Sequence, residues 1–227
     1  MFKIINTTVF LIACTSSLSF AQQPTQSLEK FIPKHWEILS QANGDLNQDG
    51  KQDIAILIQP KNKHQLERKL LILFQTDQQL QLKLIRSIPN WTYRSDEPCL
   101  EDAFNDSSLT IKNQHLEILF DTISSCSNTY GLMHTYSFKL KNNQFDLIGY
   151  DTFYLDKISG KQDELSINFL TKKAKLTTTA NIFAEVEAPQ KIVWKTVKST
   201  QKYTLANIPW NSDEFNDSFS TQYIGRK

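Results

Sequence analysis

The chain has 227 residues, 40% of them apolar and 22% charged, with a formal net charge of +1. That apolar share supports a packed core and excludes general disorder; the balanced charge excludes a dedicated nucleic-acid binder, which needs a basic field. With 14 Phe, 7 Tyr and 4 Trp, the composition suits strands more than long helices.

The first segment, MFKIINTTVFLIACTSSLSFAQQ, has Lys3, an apolar run centred on Val9 to Ala13, and small residues before Gln22. Ser19 and Ala21 fill the two small-residue positions a signal peptidase needs. This predicts cleavage after Ala21 and a periplasmic or secreted protein. The run is too short and too interrupted by Asn and Thr for a membrane span. A second processing route stays open, because Leu11 to Cys14 (LIAC) resembles the bacterial lipobox, which implies a lipid anchor at Cys14 and attachment to the outer membrane. Removing residues 1–21 leaves 25 − 1 = 24 basic residues against 24 acidic ones.

Export fixes the cysteine arithmetic. Cys14 belongs to the signal, so Cys99 and Cys126 remain, and in an oxidising compartment they pair. Closing that loop would stabilise the fold by about 3 kcal/mol. Two separate buried thiols are the alternative. Zinc is disfavoured, since no second Cys lies near either and His115 and His134 lack ligand spacing.

Gln22–Ser27 reads as a flexible leader, and residues 28–227 as one β-rich domain. LEKFIPKHWEILSQA begins with one helical turn, which Pro33 stops because the residue before a proline avoids helical dihedrals. Strand-like runs then accumulate: Asp53–Gln59, Lys69–Gln75, Leu80–Ser87, Leu109–Lys112, His115–Asp121, His134–Lys141, Phe145–Leu155, Glu164–Thr171 and Lys173–Thr179. Leu80, Leu82 and Leu84, and again Tyr136, Phe138 and Leu140, alternate as half-buried antiparallel strands do. IAILI and LLILF are continuous and therefore central. HQLERKLL could form a helical turn. Short polar turns imply antiparallel meanders, so the expected fold is all-β or strongly β-rich. From about Ala184 an irregular tail is expected, with Trp194, Trp210 and Phe215 packing back on the sheet. Asp102–Ser108 and Asp213–Phe219 share D-x-F-N-D-S, which is turn chemistry rather than duplication. Six glycines are too few for a full propeller.

One loop carries the sharpest signal. In DLNQDGKQD, Asp45, Asn47, Asp49 and Asp53 fall at positions 1, 3, 5 and 9, and Gly50 sits at position 6, where the chain must turn. Lys51 at position 7 would offer its backbone carbonyl, with its side chain in water. Hard cations take such all-oxygen sets, Ca²⁺ six to eight at ~2.3–2.6 Å. Alternation turns the ligands inward and Leu46, Gln48 and Gln52 outward. Position 12 is Ile56 rather than a bidentate Glu, and a strand follows instead of a helix. Residues 43–58 therefore resemble the strand–loop–strand calcium motifs of FG-GAP and VCBS-type repeats. The resemblance implies a structural Ca²⁺ and surface recognition, and it implies no catalysis. The competing reading is a solvated Asx turn.

Other chemistry is weaker. Ser124–Ser125–Cys126 with His134 could be drawn as nucleophile and base. Asp96, Glu97, Glu101, Asp102 and Asp106 form an acidic stretch, read as an exposed loop rather than a glycosidic pair. His35–Trp36 and Ile88–Arg94 set aromatics beside polar groups, more in the manner of a core than of a binding surface. The expectation is an exported non-enzymatic protein that recognises a protein or envelope component, with an inhibitor or immunity-type partner as one such role. The alternative is a hydrolase acting on envelope polymers through acidic residues.

Overall fold

A computed structural model describes residues 28–62, 67–88, 102–123, 130–186, 189–198 and 202–210. They form two antiparallel sheets. The first contains β1 (Trp36–Gly44), β2 (Asp53–Pro60), β3 (Arg68–Gln75) and β4 (Leu80–Ile88), paired in that order. The second contains β5 (Leu109–Lys112), β6 (His115–Ile123), β7 (Tyr130–Lys141), β8 (Gln144–Asp156), β9 (Gln162–Asn168), β10 (Lys173–Thr179) and β11 (Gln190–Thr196), also paired in chain order. Both are meanders and neither closes into a barrel, as the all-β, non-propeller expectation required. The turns explain the order. Asn113–Gln114 and Asn142–Asn143 all have positive φ, the backbone that two-residue hairpins need and that Asn tolerates.

The core lies where the two sheets face each other. Leu57, Leu70 and Ile72 from the first meet Leu116, Ile118, Phe120, Tyr136, Phe138 and Tyr150 from the second, all fully buried. Residues 202–210 close this layer. Leu147 N–H donates to the Tyr203 carbonyl and Leu205 N–H to the Phe145 carbonyl. Arg86 donates from Nη2 to the Ile208 carbonyl at 3.0 Å. Trp210 then packs on Phe120, Tyr136 and Phe138, with ring centroids 5.4, 5.3 and 6.2 Å away.

A 3-10 turn, Leu28–Phe31, covers the outer face of the first sheet together with Ile32 and Trp36, packing on Ile56, Ile58, Leu71 and Leu73. β2 and β3 are therefore buried on both faces, which is why their sequences are continuous apolar runs instead of alternating ones.

One strand was not foreseen, and four expectations need correction. WEILSQANG after Pro33 is a full strand, β1. Leu80, Leu82 and Leu84 do not share a face: pairing shifts between Ile72 and Leu73, so that Leu82 and Leu84 face consecutive β3 residues and Lys83 is extra. That bulge leaves Leu82 47% exposed while Leu84 packs on the core. The stretch from Ala184 is not wholly irregular, because it holds β11. Trp194, on that strand, is 64% exposed rather than packed back, whereas Trp210 is buried. In HQLERKLL the residues from Arg68 on are strand β3; residues 63–66 lie outside the described residues. So do the signal and leader (1–27) with Cys14, the pair Cys99 and Cys126, Ser124–Ser125, residues 89–101 and Phe215.

Candidate functional site

The Asp-rich loop joins β1 to β2 and is braced from three sides. Its entry is Gly44, where a Cβ would stand 2.5 Å from Ile111 Cγ2 on β5, so only glycine lets the hairpin approach the second sheet this closely. Within the loop Asp45, Asn47 and Asp49 each accept from backbone amides ahead of them. Asp45 accepts from Gln48 N–H at 2.7 Å and Gly50 N–H at 3.0 Å. Asn47 accepts from Asp49 N–H at 3.0 Å, and Asp49 from Lys51 N–H at 2.9 Å. Gly50 has φ of 81°, the left-handed region in which a Cβ is strained. This ladder fixes the side chains from the backbone, while a carboxylate or amide oxygen with one donor keeps a lone pair for a second partner.

Asp53 closes the loop. It is fully buried, with Oδ2 accepting from Leu46 N–H at 2.9 Å and Oδ1 from Gln75 N–H, at the end of β3, at 3.0 Å. Burial pushes its pKa up, against those donors, and the charge of Asp49 adds to the rise. Asp49 is held below the usual carboxylate range chiefly by Lys51 N–H.

The loop differs from expectation in two respects. Leu46 points outward from the polar side but into the core, and it is 1% exposed. The Lys51 side chain does not run into open water: Nζ pairs with Asp77 Oδ1 in the β3–β4 turn at 2.8 Å, which raises its pKa, with smaller contributions from Asp49 and Asp53. The ammonium thus lies in the field of three carboxylates. Among the described residues no three His, Cys, Asp or Glu side chains could cage a metal by themselves. A cation here would also draw on Asn47 and the Lys51 carbonyl. The donors are all oxygen and the buried Asp53 carboxylate lacks full compensation, so the chemistry fits a hard cation.

Other predicted residues have structural placements. His134 is buried with Nδ1 2.8 Å from the Tyr150 hydroxyl, and burial lowers its pKa to about 4. Asp102 accepts from Arg68 Nη1 at 2.6 Å and also from Nη2, and that guanidinium lies over the Phe104 ring. Asp102 therefore pins residues 102–108 to the first sheet. Trp36 packs on the outer cluster with the Lys69 ammonium 4.8 Å from its ring centroid.

A second concavity escaped the sequence reading. Cross-strand pairing aligns Leu119, Thr135, Asp151, Ser166, Lys175 and Trp194 in one row across β6 to β11. The row lies opposite the core, since Tyr136, Tyr150, Ile167 and Ala174 face inward from neighbouring positions. From Leu119 to Lys175, together with the parallel row Met133, Phe153, Glu164 and Thr177, it lines a groove of about 360 Å³, and Trp194 stands just beyond the groove on the edge strand. Burial raises the Asp151 pKa, and a hydrogen bond from Ser166 partly offsets that rise. The available signal was alternation: Asp151 follows core-facing Tyr150 in IGYDTFY, and Ser166 lies between core-facing Leu165 and Ile167 in ELSIN.

No helix among the described residues is long and apolar enough to cross a membrane. Comparison with protein-family models, curated proteins and solved structures finds no match to this chain.

Proposed function

We propose that the protein is exported and non-enzymatic, recognises a protein or envelope component, and has its first hairpin locked by one structural Ca²⁺. The observation that carries this reading is the oxygen ladder of residues 45–53, with backbone amides orienting Asp45, Asn47 and Asp49 and with Asp53 buried behind them. Asp45, Asn47, Asp49, Asp53 and the Lys51 carbonyl would hold the ion. Bound there, calcium neutralises the crowded carboxylates and supplies no reaction. The bracing by Gly44 and Asp53 would pass that rigidity to both sheets.

Calcium titration with thermal melting tests the reading. With a dissociation constant of ~10⁻⁴–10⁻³ M, as in extracellular modules, calcium at tenfold excess over that constant adds about 1.4 kcal/mol. The melting temperature then rises by ~3–6 °C, and EDTA reverses the shift. Asp45→Ala removes it. Identical melts of the natural protein in EDTA and in about 10 mM calcium, tenfold above the weakest constant in that range, would refute the reading.

The hydrolase alternative is favoured by one observation. Asp151, with its pKa raised by burial, shares a groove with Glu164 on the neighbouring strand, and paired carboxylates in a cleft suit glycosidic chemistry.

A further inference from the structure

The outer face of the second sheet presents a continuous row of polar and aromatic side chains. Its central row crosses six strands, and five intervals of ~4.8 Å make it about 24 Å long. Along that line the side chains alternate in chemistry: the Thr135 hydroxyl, the Asp151 carboxyl, the Ser166 hydroxyl, the Lys175 ammonium and then the Trp194 ring. Glu164 and Phe153, opposite each other in the next row, add an acceptor and an apolar wall. At the end of the row Trp194 stands opposite Lys175 with 64% of its surface exposed, and Ile192 on the same strand face is 48% exposed. An indole turned to solvent on an outer strand costs hydration without adding to the core.

From this arrangement we infer that the outer groove of the second sheet binds a neutral saccharide chain, laid across β6 to β11 with one sugar ring stacked on Trp194. The inference rests on the recognition reading above and names its ligand class. Two carboxylates in the floor repel phosphate or another polyanion, which excludes nucleic acid and acidic polymers. Lys175 opposes a basic peptide at the same place. The polar floor is a poor seat for an apolar helix, which would take water from the Asp151, Glu164 and Lys175 groups and return no hydrogen bonds for it. A polyhydroxylated chain satisfies acceptors and donors together, since each hydroxyl serves as both. Its apolar ring faces suit an exposed indole. The cavity, about 360 Å³, lies at the small end of the ~300–1,000 Å³ typical of ligand sites, and its open sides let a longer chain continue beyond it.

The test is isothermal titration of the full-length protein with four neutral chains, N-acetylchitotetraose, cellotetraose, maltotetraose and mannotetraose, each to millimolar concentration. At least one should bind. Trp194→Ala and Lys175→Met should each weaken that binding by about tenfold or more, and both are surface changes that leave the melting temperature in place. Binding to none of the four, or binding equal in both variants, overturns the inference. Recovered ligand is analysed by mass. If it is bound with the stated dependence but cleaved, and Glu164→Gln and Asp151→Asn abolish cleavage alone, the saccharide site stands and the non-enzymatic reading falls.

Discussion

Replacing Asp53 by alanine tests the bracing of the loop without any metal present. The carboxylate is fully buried and accepts one backbone N–H on each oxygen, from Leu46 at 2.9 Å and from Gln75 at 3.0 Å. Alanine leaves both amides buried without acceptors, at ~1–3 kcal/mol each. The expected loss is therefore about 4 kcal/mol. Asparagine keeps one oxygen and sets an amide N–H₂ against the second donor, so about half that loss is expected. One effect opposes this. Burial raises the Asp53 pKa, so ionisation at neutral pH works against the folded state, and asparagine escapes that penalty. The sign follows: a raised carboxyl binds protons more readily in the native state, so the natural protein gains stability as pH falls through the folded pKa. Its advantage over Asp53→Asn should widen in that window. Urea unfolding in EDTA measures all three proteins, with an unchanged slope showing that the midpoints report stability. An alanine variant within about 0.5 kcal/mol of the natural protein, the range of ordinary surface changes, would refute the bracing.

Two further outcomes are expected. His134 is held neutral by burial, with its pKa lowered from 6.5 to about 4; the unfolded chain takes up the proton first, so stability is fully present above pH 6.5 and falls as pH drops towards 4, by about 3 kcal/mol in total. Unfolding curves across that range should converge for the natural protein and His134→Gln, and parallel curves would contradict the assignment. Gly44→Ala places a Cβ 2.5 Å from Ile111 Cγ2 and 3.1 Å from Ile111 Cβ, an overpacking cost of ~1–3 kcal/mol. Adding Ile111→Ala should return part of that cost in a double-mutant cycle, and an unchanged melt of the single variant would show that the sheets can move apart freely.

Much of the architecture was legible because local chemistry and tertiary position agree. IAILI and LLILF read as central strands, and the Asn-rich pairs mark hairpins whose positive φ the backbone confirms. The loop was legible in spacing but not in its bracing: no pattern reveals that Lys51 would reach Asp77 or that Leu46 would enter the core. β1 was hidden by its mixed composition after Pro33, and β11 by the lysines at Lys191 and Lys195 on an edge strand with little to bury. The Lys83 bulge illustrates a general limit, since one extra residue reverses the face of everything beyond it and leaves no trace in periodicity. The outer groove was illegible for another reason. Thr135, Asp151, Ser166, Lys175 and Trp194 are ordinary residues far apart in sequence, and only strand register assembles them.

Trp210 and its neighbours have a consequence for the order of events during synthesis. Residues 205–210 emerge from the ribosome after all eleven described strands, yet they supply the lid over Phe120, Tyr136 and Phe138. Until then those rings lack one wall of their packing, and the hairpins can form but not lock. If the chain is threaded across a membrane as proposed, this delayed fastening keeps it pliable for as long as the translocation pore needs it so.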